Sequence, residues 1–362
     1  MVRRIVAGGG LADPAWRAAF TEVPRHLFVP ASGGSSRSRR AGPGSGSGSP
    51  DDPDPRRRLR WLAGAYADQP IATHVVGGEL VSSSSQPSLM ALMCEALEVT
   101  DGMRVLEVGA GTGYNAALLA HRLGPGAVTT IDLDEEITDA ARAHLAAYGT
   151  PAALSVTVVT GDGAEGHPPG APYDRIMATC ELPSIPAPWL AQCVPGGRVL
   201  APFATGLIDL TVYGPERAEG RFLSTPAFFV PLRGPAGRAP MLPPPDEAET
   251  VRDTGTPPRV VGNDLFRFLL TLVVGPLDIV WSPTTGDAHL MAADGSTARA
   301  TTEGTVHLTG PRDLWSLAES AHTLFREYDH PARARFGLTV EGGRQSTWLD
   351  SPDGPHRWDM PL

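Results

Sequence analysis

The sequence predicts an α/β fold: a doubly wound, mostly parallel sheet, with a helical segment before it and a smaller α+β domain after it. Three observations support this. From about residue 87 to 202, short apolar runs of strand type alternate with segments of helical period. Within that stretch Met103-Arg-Val105-Leu106 leads through Glu107-Val-Gly109-Ala-Gly111-Thr-Gly113 into a helical run, a strand, glycine turn and helix in succession. Beyond it, a Pro-rich stretch over 231–258 precedes a region that mixes short strands with one amphipathic helix.

In chain order, Asp13 can cap a short helix over 14–20, with Pro14 in its first turn. Residues 1–30 form the N-terminal helical segment. Residues 31–60 are Ser, Gly, Pro, Arg and Asp with few apolar side chains, a composition that cannot offset chain entropy, so a disordered insertion is expected. Its end, Arg56-Arg57-Arg58-Leu59-Arg60, reads as a solvated charged linker. Order is expected from Tyr66. Apolar residues at helical spacing predict a helix over 87–97. Strands are expected at 105–108, 127–131, 156–159, 173–178 and 198–201, with helices at 113–123, 135–148 and 188–192. This is the main domain, 61–230. A linker over 231–259 then leads to an α+β domain over 260–362. There strands are expected at 278–281, 288–292, 305–308 and 336–340, and a helix at 311–327 whose apolar face carries Leu314, Leu317, Ala318, Ala321, Leu324 and Phe325.

Composition narrows the function. The chain has 362 residues and is 41% hydrophobic, enough for a proper core. Its formal net charge of −10 disfavours nucleic acid as a partner. Cys94, Cys180 and Cys193 are too few and scattered for a disulfide framework or a zinc site, so buried free thiols are expected and no metal. The longest apolar stretch, 265–274, contains Arg267 and is too short to span a membrane. A cytoplasmic protein is the expectation.

The glycine turn points to a ligand. Glycines let the backbone approach it closely. An acidic residue at the strand end, Glu107, suits a cationic cofactor without phosphate better than a phosphate group. The spacing is Gly-x-Gly-x-Gly, not the Gly-x-Gly-x-x-Gly of dinucleotide folds. S-adenosylmethionine is therefore the expected cofactor, with Glu107, Gly109, Gly111, Thr112, Gly113 and Tyr114 around it. After the second strand, Asp132, followed by Leu133, is placed to take both ribose hydroxyls, while Asp134 caps the next helix. After the third strand, the aspartate of Gly161-Asp162-Gly163 can accept from the adenine amino group, although Gly-Asp-Gly is also a common turn. Methyl transfer from a sulfonium to a carboxylate needs alignment more than a general base. Ser82-Ser83-Ser84-Ser85-Gln86, ahead of a helix, offers hydroxyls and N–H groups that can hold such a carboxylate; a flexible serine loop with a helix cap is the plainer reading.

Several segments resemble one family. Val23-Pro24-Arg25-His26-Leu27-Phe28-Val29-Pro30, Tyr66-Ala67-Asp68-Gln69-Pro70-Ile71, Ser85-Gln86-Pro87, the 107–114 turn, Asp132, Asp162, Tyr173-Asp174-Arg175-Ile176 and Pro195-Gly196-Gly197-Arg198 fall in the order of the protein-L-isoaspartate O-methyltransferases, over about 11–215. The resemblance implies a Rossmann-like class I methyltransferase fold, and a serine, here Ser85, that helps hold the isoaspartyl carboxylate as the catalytic-site residue. Where that family has Gly-Gln-Thr-Ile before Ser-Gln-Pro, this chain has Gly78-Glu79-Leu80-Val81 and three further serines. The segment after the fourth strand is Thr179-Cys180-Glu181-Leu182-Pro183, where the family is small and alanine-rich. Both departures lie where a substrate peptide would thread, so Ser82, Ser83, Ser84, Gln86, Thr179 and Cys180 are expected at the substrate.

The region beyond 231 is similar to that of actinobacterial homologues encoded with ribosomally made peptides such as lanthipeptides. That likeness implies methylation of a precursor aspartate, closure of the ester to a succinimide, and hydrolysis to isoaspartate, with the C-terminal domain recognising the peptide. Repair of isoaspartyl damage is the alternative within the same chemistry, and a non-catalytic cofactor- or partner-binding module the alternative of another class.

Overall fold

The computed structural model describes residues 1–30, 49–235 and 249–360. The chain forms two compact units: 1–180 with 188–201 and 232–234, and the rest, including 181–187, 202–231 and the C-terminal region.

The first unit opens with α1 (Val2–Ala7), α2 (Pro14–Glu22), α3 (Pro55–Ala65) and α4 (Pro87–Ala96). Asp13 accepts from the Ala15 N–H at 2.7 Å, and Pro14 occupies the first helical position, as the sequence predicts. Between α3 and α4 lies an antiparallel hairpin, β1 (Ile71–Val76) and β2 (Glu79–Ser84). It turns at Gly77-Gly78, φ +61° and +93°; a two-residue hairpin with positive φ at both positions matches the strand twist.

Five parallel strands follow: β3 (Val105–Val108), β4 (Val128–Asp132), β5 (Thr157–Thr160), β6 (Tyr173–Ala178) and β7 (Cys193–Phe203). Their order is β7-β6-β3-β4-β5, with β3 at the centre and buried along its whole length. Connections run through α5 (Tyr114–Leu123), α6 (Glu135–Tyr148), α7 (Pro151–Leu154) and α8 (Ala187–Gln192). The order reverses at β3: the chain moves outward through β4 and β5, then crosses back to β6. Ligands in open α/β sheets bind at such a switch point, outside the carboxyl ends of the strands.

The expected insertion over 31–60 needs correction. Its residues 31–48 lie outside the described residues, but 55–65 form helix α3. Asp54 caps it through the Arg56 N–H at 2.9 Å, and Pro55 starts it. Trp61 and Ala65, one turn apart, are buried with Val29, and Trp61 Nε1 donates to the Pro30 carbonyl at 3.3 Å. The arginines occupy the exposed face, so the charge of one face hid the apolar stripe of the other.

The second unit holds two antiparallel strand sets. One is β8 (Gly206–Gly214) and β9 (Arg217–Phe222) with β15 (Phe336–Glu341), β16 (Arg344–Leu349) and β17 (Arg357–Asp359), in the order β17-β16-β15-β9-β8. The other is β10 (Thr250–Asp253), β11 (Leu277–Trp281), β12 (Ala288–Ala292), β13 (Thr297–Ala300) and β14 (Thr305–Thr309), in the order β10-β14-β13-β12-β11. Helices α9 (Asp264–Val274) and α10 (Leu314–Glu327) belong here, with the Phe266 and Phe325 rings 5.5 Å apart, edge to face. By compact units the division differs from the expected 61–230, because β9 pairs with β15 and groups with the C-terminal region. The linker expectation fails at 250–253, which is strand β10, and at 258–262, a short 3-10 helix; its residues 236–248 lie outside the described residues. Among the described residues no helix is long and apolar enough to cross a membrane.

Truncating Trp61 to Ala should loosen α3 by about 2–3 kcal/mol. Hydrogen exchange across 55–65 should then speed up roughly 30- to 150-fold while the β3–β4 amides keep their protection. Equal loosening of both would show that α3 is integral to the sheet's cooperative unit.

Candidate active site

The turn after β3 is built by backbone conformation. Gly109, Gly111 and Gly113 have φ of +100°, +51° and +81°, values that L side chains resist. Space is also short: a Cβ on Gly109 would stand 2.5 Å from Thr179 Oγ1, and one on Gly113 would stand 3.3 Å from Ala141. Thr179, at the end of β6, donates its hydroxyl to the Gly109 carbonyl at 2.7 Å and so braces the turn. It was expected at the substrate; its hydroxyl is committed to the backbone instead. The adjoining Cys180 was expected there too, yet it is buried, and burial pushes its thiol up to about 12, so it stays protonated. All three cysteines are free and buried.

Glu107 and Tyr114 do not face the cleft as the sequence suggests. Glu107 is fully buried beneath the turn, where Asn115 Nδ2 donates to Oε1 at 2.7 Å and Thr130 Oγ1 donates to Oε2 at 2.6 Å. Burial raises its carboxyl to about 7, against the opposing effect of those two hydrogen bonds. Tyr114 turns its ring into an aromatic cluster with Phe20 and Phe28, at 6.5 and 5.6 Å, leaving only its backbone at the mouth of the turn. Thr112 is also buried, its carbonyl bonded to His144 Nδ1 at 2.9 Å.

The next two strand ends carry carboxylates. Asp132 ends β4 and its Oδ2 accepts the Gly111 N–H at 3.2 Å, linking it directly to the turn. Leu133 beside it is 39% exposed, an apolar surface available to a flat ring. Asp134 caps α6 by accepting from the Glu136 N–H at 2.9 Å, as predicted. Beyond β5, the Gly161 N–H bonds the Asp132 carbonyl at 2.9 Å, and the Asp162 side chain accepts from Ala164 N–H at 2.9 Å. Gly163 leaves no room for a side chain: a Cβ there would stand 2.5 Å from Val108 Cγ1. No local pattern pointed to Arg233, whose Nη2 lies 3.0 Å from Asp132 Oδ1 and whose Nη1 lies 3.7 Å from Asp134 Oδ2.

The serine run lies against the turn. A Cβ on Gly111 would meet Ser82 Oγ at 3.7 Å and the Ser83 carbonyl at 3.8 Å. Ser82 and Ser84 are buried: Thr73 Oγ1 donates to Ser82 Oγ at 3.0 Å, and Arg25 Nη2 donates to Ser84 Oγ at 3.3 Å. Arg25 is itself fully buried and donates further to the carbonyls of Ala65, Ala67, Gln69, Ser84 and Ser85 at 2.8–3.4 Å. A planar trans peptide sets N–H opposite C=O, so the N–H groups of Ser85 and Gln86 face away from Arg25. Gln86 Nε2 bonds Ser88 Oγ at 2.9 Å, and Asp68 Oδ1 accepts from the Ser88 N–H at 2.8 Å at the start of α4. Ser83 and Ser85, half-buried, keep their hydroxyls out of such bonds among the described residues. The run is thus a strand end and helix entry held from behind, not a loose loop.

A nucleoside with a methionine tail fits what is present. The turn has no side chain at its three glycines, carboxylates end the two adjacent strands, and the negative charge of Asp132 and Asp134 disfavours a phosphate. Among the described residues no three His, Cys, Asp or Glu side chains gather where they could hold a metal ion.

Comparison with known proteins agrees with this geometry. The family described as protein-L-isoaspartate(D-aspartate) O-methyltransferase (PCMT) matches residues 58–233. The chain is 34% identical to the protein-L-isoaspartate O-methyltransferase of Hyperthermus butylicus, over 66% of this chain and 88% of that protein. It is 38% identical to the one from Methanoregula boonei, over 66% and 93%, and 39% identical to protein-L-isoaspartate O-methyltransferase 1 of Anaeromyxobacter sp., over 65% and 95%. A solved structure named protein-L-isoaspartate O-methyltransferase superposes with a TM-score of 0.56 at 20% identity, covering 100% of this chain and 98% of that one. The likeness in fold therefore extends through the C-terminal region.

The raised carboxyl of Glu107 has a pH consequence. The folded protein holds a proton that the unfolded chain releases near 4.5. That contribution to stability is complete below about 4.5 and is lost as pH rises to about 7. Thermal unfolding of wild type and Glu107→Gln between pH 5 and 8 should show the wild type losing ground to the variant as pH rises, by up to about 3 kcal/mol, with a plateau above 7. A constant difference across the range would place the Glu107 pKa outside it.

Proposed function

Because the chain belongs to the protein-L-isoaspartate O-methyltransferase family and is a carboxyl O-methyltransferase dependent on S-adenosylmethionine, we propose that it methylates the free α-carboxylate of isoaspartyl residues in proteins or peptides. The observation that carries this reading is the placement of the serine ledge against the glycine turn, with Ser82 and Ser83 in contact range of Gly111. Methyl donor and acceptor carboxylate are thereby set side by side.

S-adenosylmethionine supplies a methyl group on a sulfonium already activated for transfer. The chain's part is binding and alignment. Asp132 takes the ribose hydroxyls and Asp162 the adenine amino group, while Gly109, Gly111 and Gly113 let the methionine portion lie against bare backbone. Ser85 Oγ and the N–H groups of Ser85 and Gln86 hold the acceptor carboxylate, which is ionised at neutral pH and needs no base. Glu107 is buried and bonded to Asn115 and Thr130, so its part would be to support the turn rather than to touch the cofactor. Once methylated, the carboxyl is uncharged, so attack by the neighbouring amide nitrogen on the ester carbonyl closes a succinimide and releases methanol, which carries off the amide proton, without further help from the protein.

The narrower expectation, an aspartyl side chain of a ribosomally made peptide, has only the departures at 78–85 and 179–183 behind it. The C-terminal region no longer singles it out, since a structure bearing the repair enzyme's name spans that region too.

Purified protein should methylate a short isoaspartyl peptide and not its aspartyl isomer, as read by ester mass. No ester on the isoaspartyl peptide would sink the reading; ester on the aspartyl form alone would restore the tailoring role. Ser85→Ala should lower kcat/KM for the peptide roughly 10- to 100-fold, as expected for losing a hydrogen bond to a charged group, and leave cofactor affinity unchanged.

A further inference from the structure

Residues 232–234 lie over the carboxylates assigned to the nucleoside. Leu232 is buried, with Cδ1 3.6 Å from where a Cβ on Gly163 would stand. Gly234, at φ +105°, passes so close to Asp162 that an added Cβ would lie 3.4 Å from both carboxylate oxygens. Between them the Arg233 guanidinium is paired with Asp132 at 3.0 Å and stands 3.7 Å from Asp134.

These contacts bear on how Asp132 can recognise a sugar. A carboxylate offers about four acceptor positions. On Asp132, Gly111 takes one at Oδ2 and Arg233 one at Oδ1. What remains is closed off, for the Asp132 side chain is only 10% exposed, whereas Asp134 is 27% and Arg233 33% exposed. Two vicinal hydroxyls bound by both oxygens would meet the guanidinium at Oδ1, and Asp134, 3.7 Å from Nη1, offers the arginine a second partner.

We propose that Arg233 is an intramolecular competitor for the ribose: its guanidinium and the nucleoside diol contend for Asp132, and Asp134 receives the arginine when the diol binds. This rests on the reading of Asp132 as the ribose carboxylate. The device sets cofactor affinity below what the cleft alone would give and speeds departure of the demethylated product, because the arginine returns to Asp132.

The test is calorimetric titration of S-adenosylhomocysteine into the full-length wild type, Arg233→Ala, Arg233→Gln and Asp132→Ala at low and high KCl, with melting temperatures as a fold check. Both arginine variants should bind about 1.5- to 5-fold tighter than wild type at low salt, the range expected for releasing a partly exposed ion pair. The gap should narrow at high salt, where screening weakens the pair in the wild type. Product dissociation by stopped flow should slow in the same proportion. Equal or weaker binding by both folded variants, with Asp132→Ala crippled, would overturn the competitor role alone and make Arg233 an ordinary support of the site. Undiminished binding by Asp132→Ala would remove the ribose assignment and the competitor with it.

Discussion

The serine run of the first unit is organised around the buried guanidinium of Arg25. Among the described residues no carboxylate lies within ion-pair distance of it, and five backbone carbonyls and the Ser84 hydroxyl satisfy four of its five N–H donors or share them, while Nε has no partner. Burial lowers its pKa below the usual arginine value, opposed by nearby Tyr114 and Asp68. A buried charge is tolerated only when thoroughly hydrogen-bonded. The constraint works in both directions: the arginine requires the carbonyls of 65–69 and 84–85 to converge, and their convergence turns the peptide planes of the serine ledge outward. The end of α3, the start of the hairpin and the entry to α4 are thus fixed by one side chain from the N-terminal segment.

A second constraint acts at the strand tips. β3, β4 and β5 end side by side, and each tip is tied to its neighbour by backbone: Gly109 N–H to the Ile131 carbonyl, Gly161 N–H to the Asp132 carbonyl. The functional groups therefore inherit their spacing from the sheet. Asp132 is positioned doubly, through its strand and through the Gly111 N–H on its own carboxylate. The backbone that carries these groups needs no induced order, which suits a reaction whose barrier is lowered chiefly by alignment.

Much of this was legible in the sequence where the signals are local. Strands at 105–108 and 173–178, the helix at 135–148 with its Asp134 cap, and the helix start at Asp13 follow from period and capping chemistry alone. What escaped was decided at long range. Strand β9 reads as Arg-Ala-Glu-Gly-Arg-Phe, without clean alternation, and is a strand because β8 and β15 flank it. β13, Thr-Ala-Arg-Ala, is held likewise between β12 and β14. In the site, the motif residues occupy the expected elements, but motif matching does not reveal which way a side chain turns. Glu107 found Asn115 and Thr130, Tyr114 found Phe28, and Thr179 found the Gly109 carbonyl. Arg233 lies 101 residues from Asp132 in sequence, and no local pattern joins them.

The crowded glycines carry a genetic consequence. Every single-base missense change of a glycine codon yields an amino acid that bears a Cβ. At Gly109 and Gly163 that atom would arrive 2.5 Å from Thr179 Oγ1 or Val108 Cγ1. These two positions therefore offer no mild first mutational step, because the smallest replacement already collides with a neighbouring side chain.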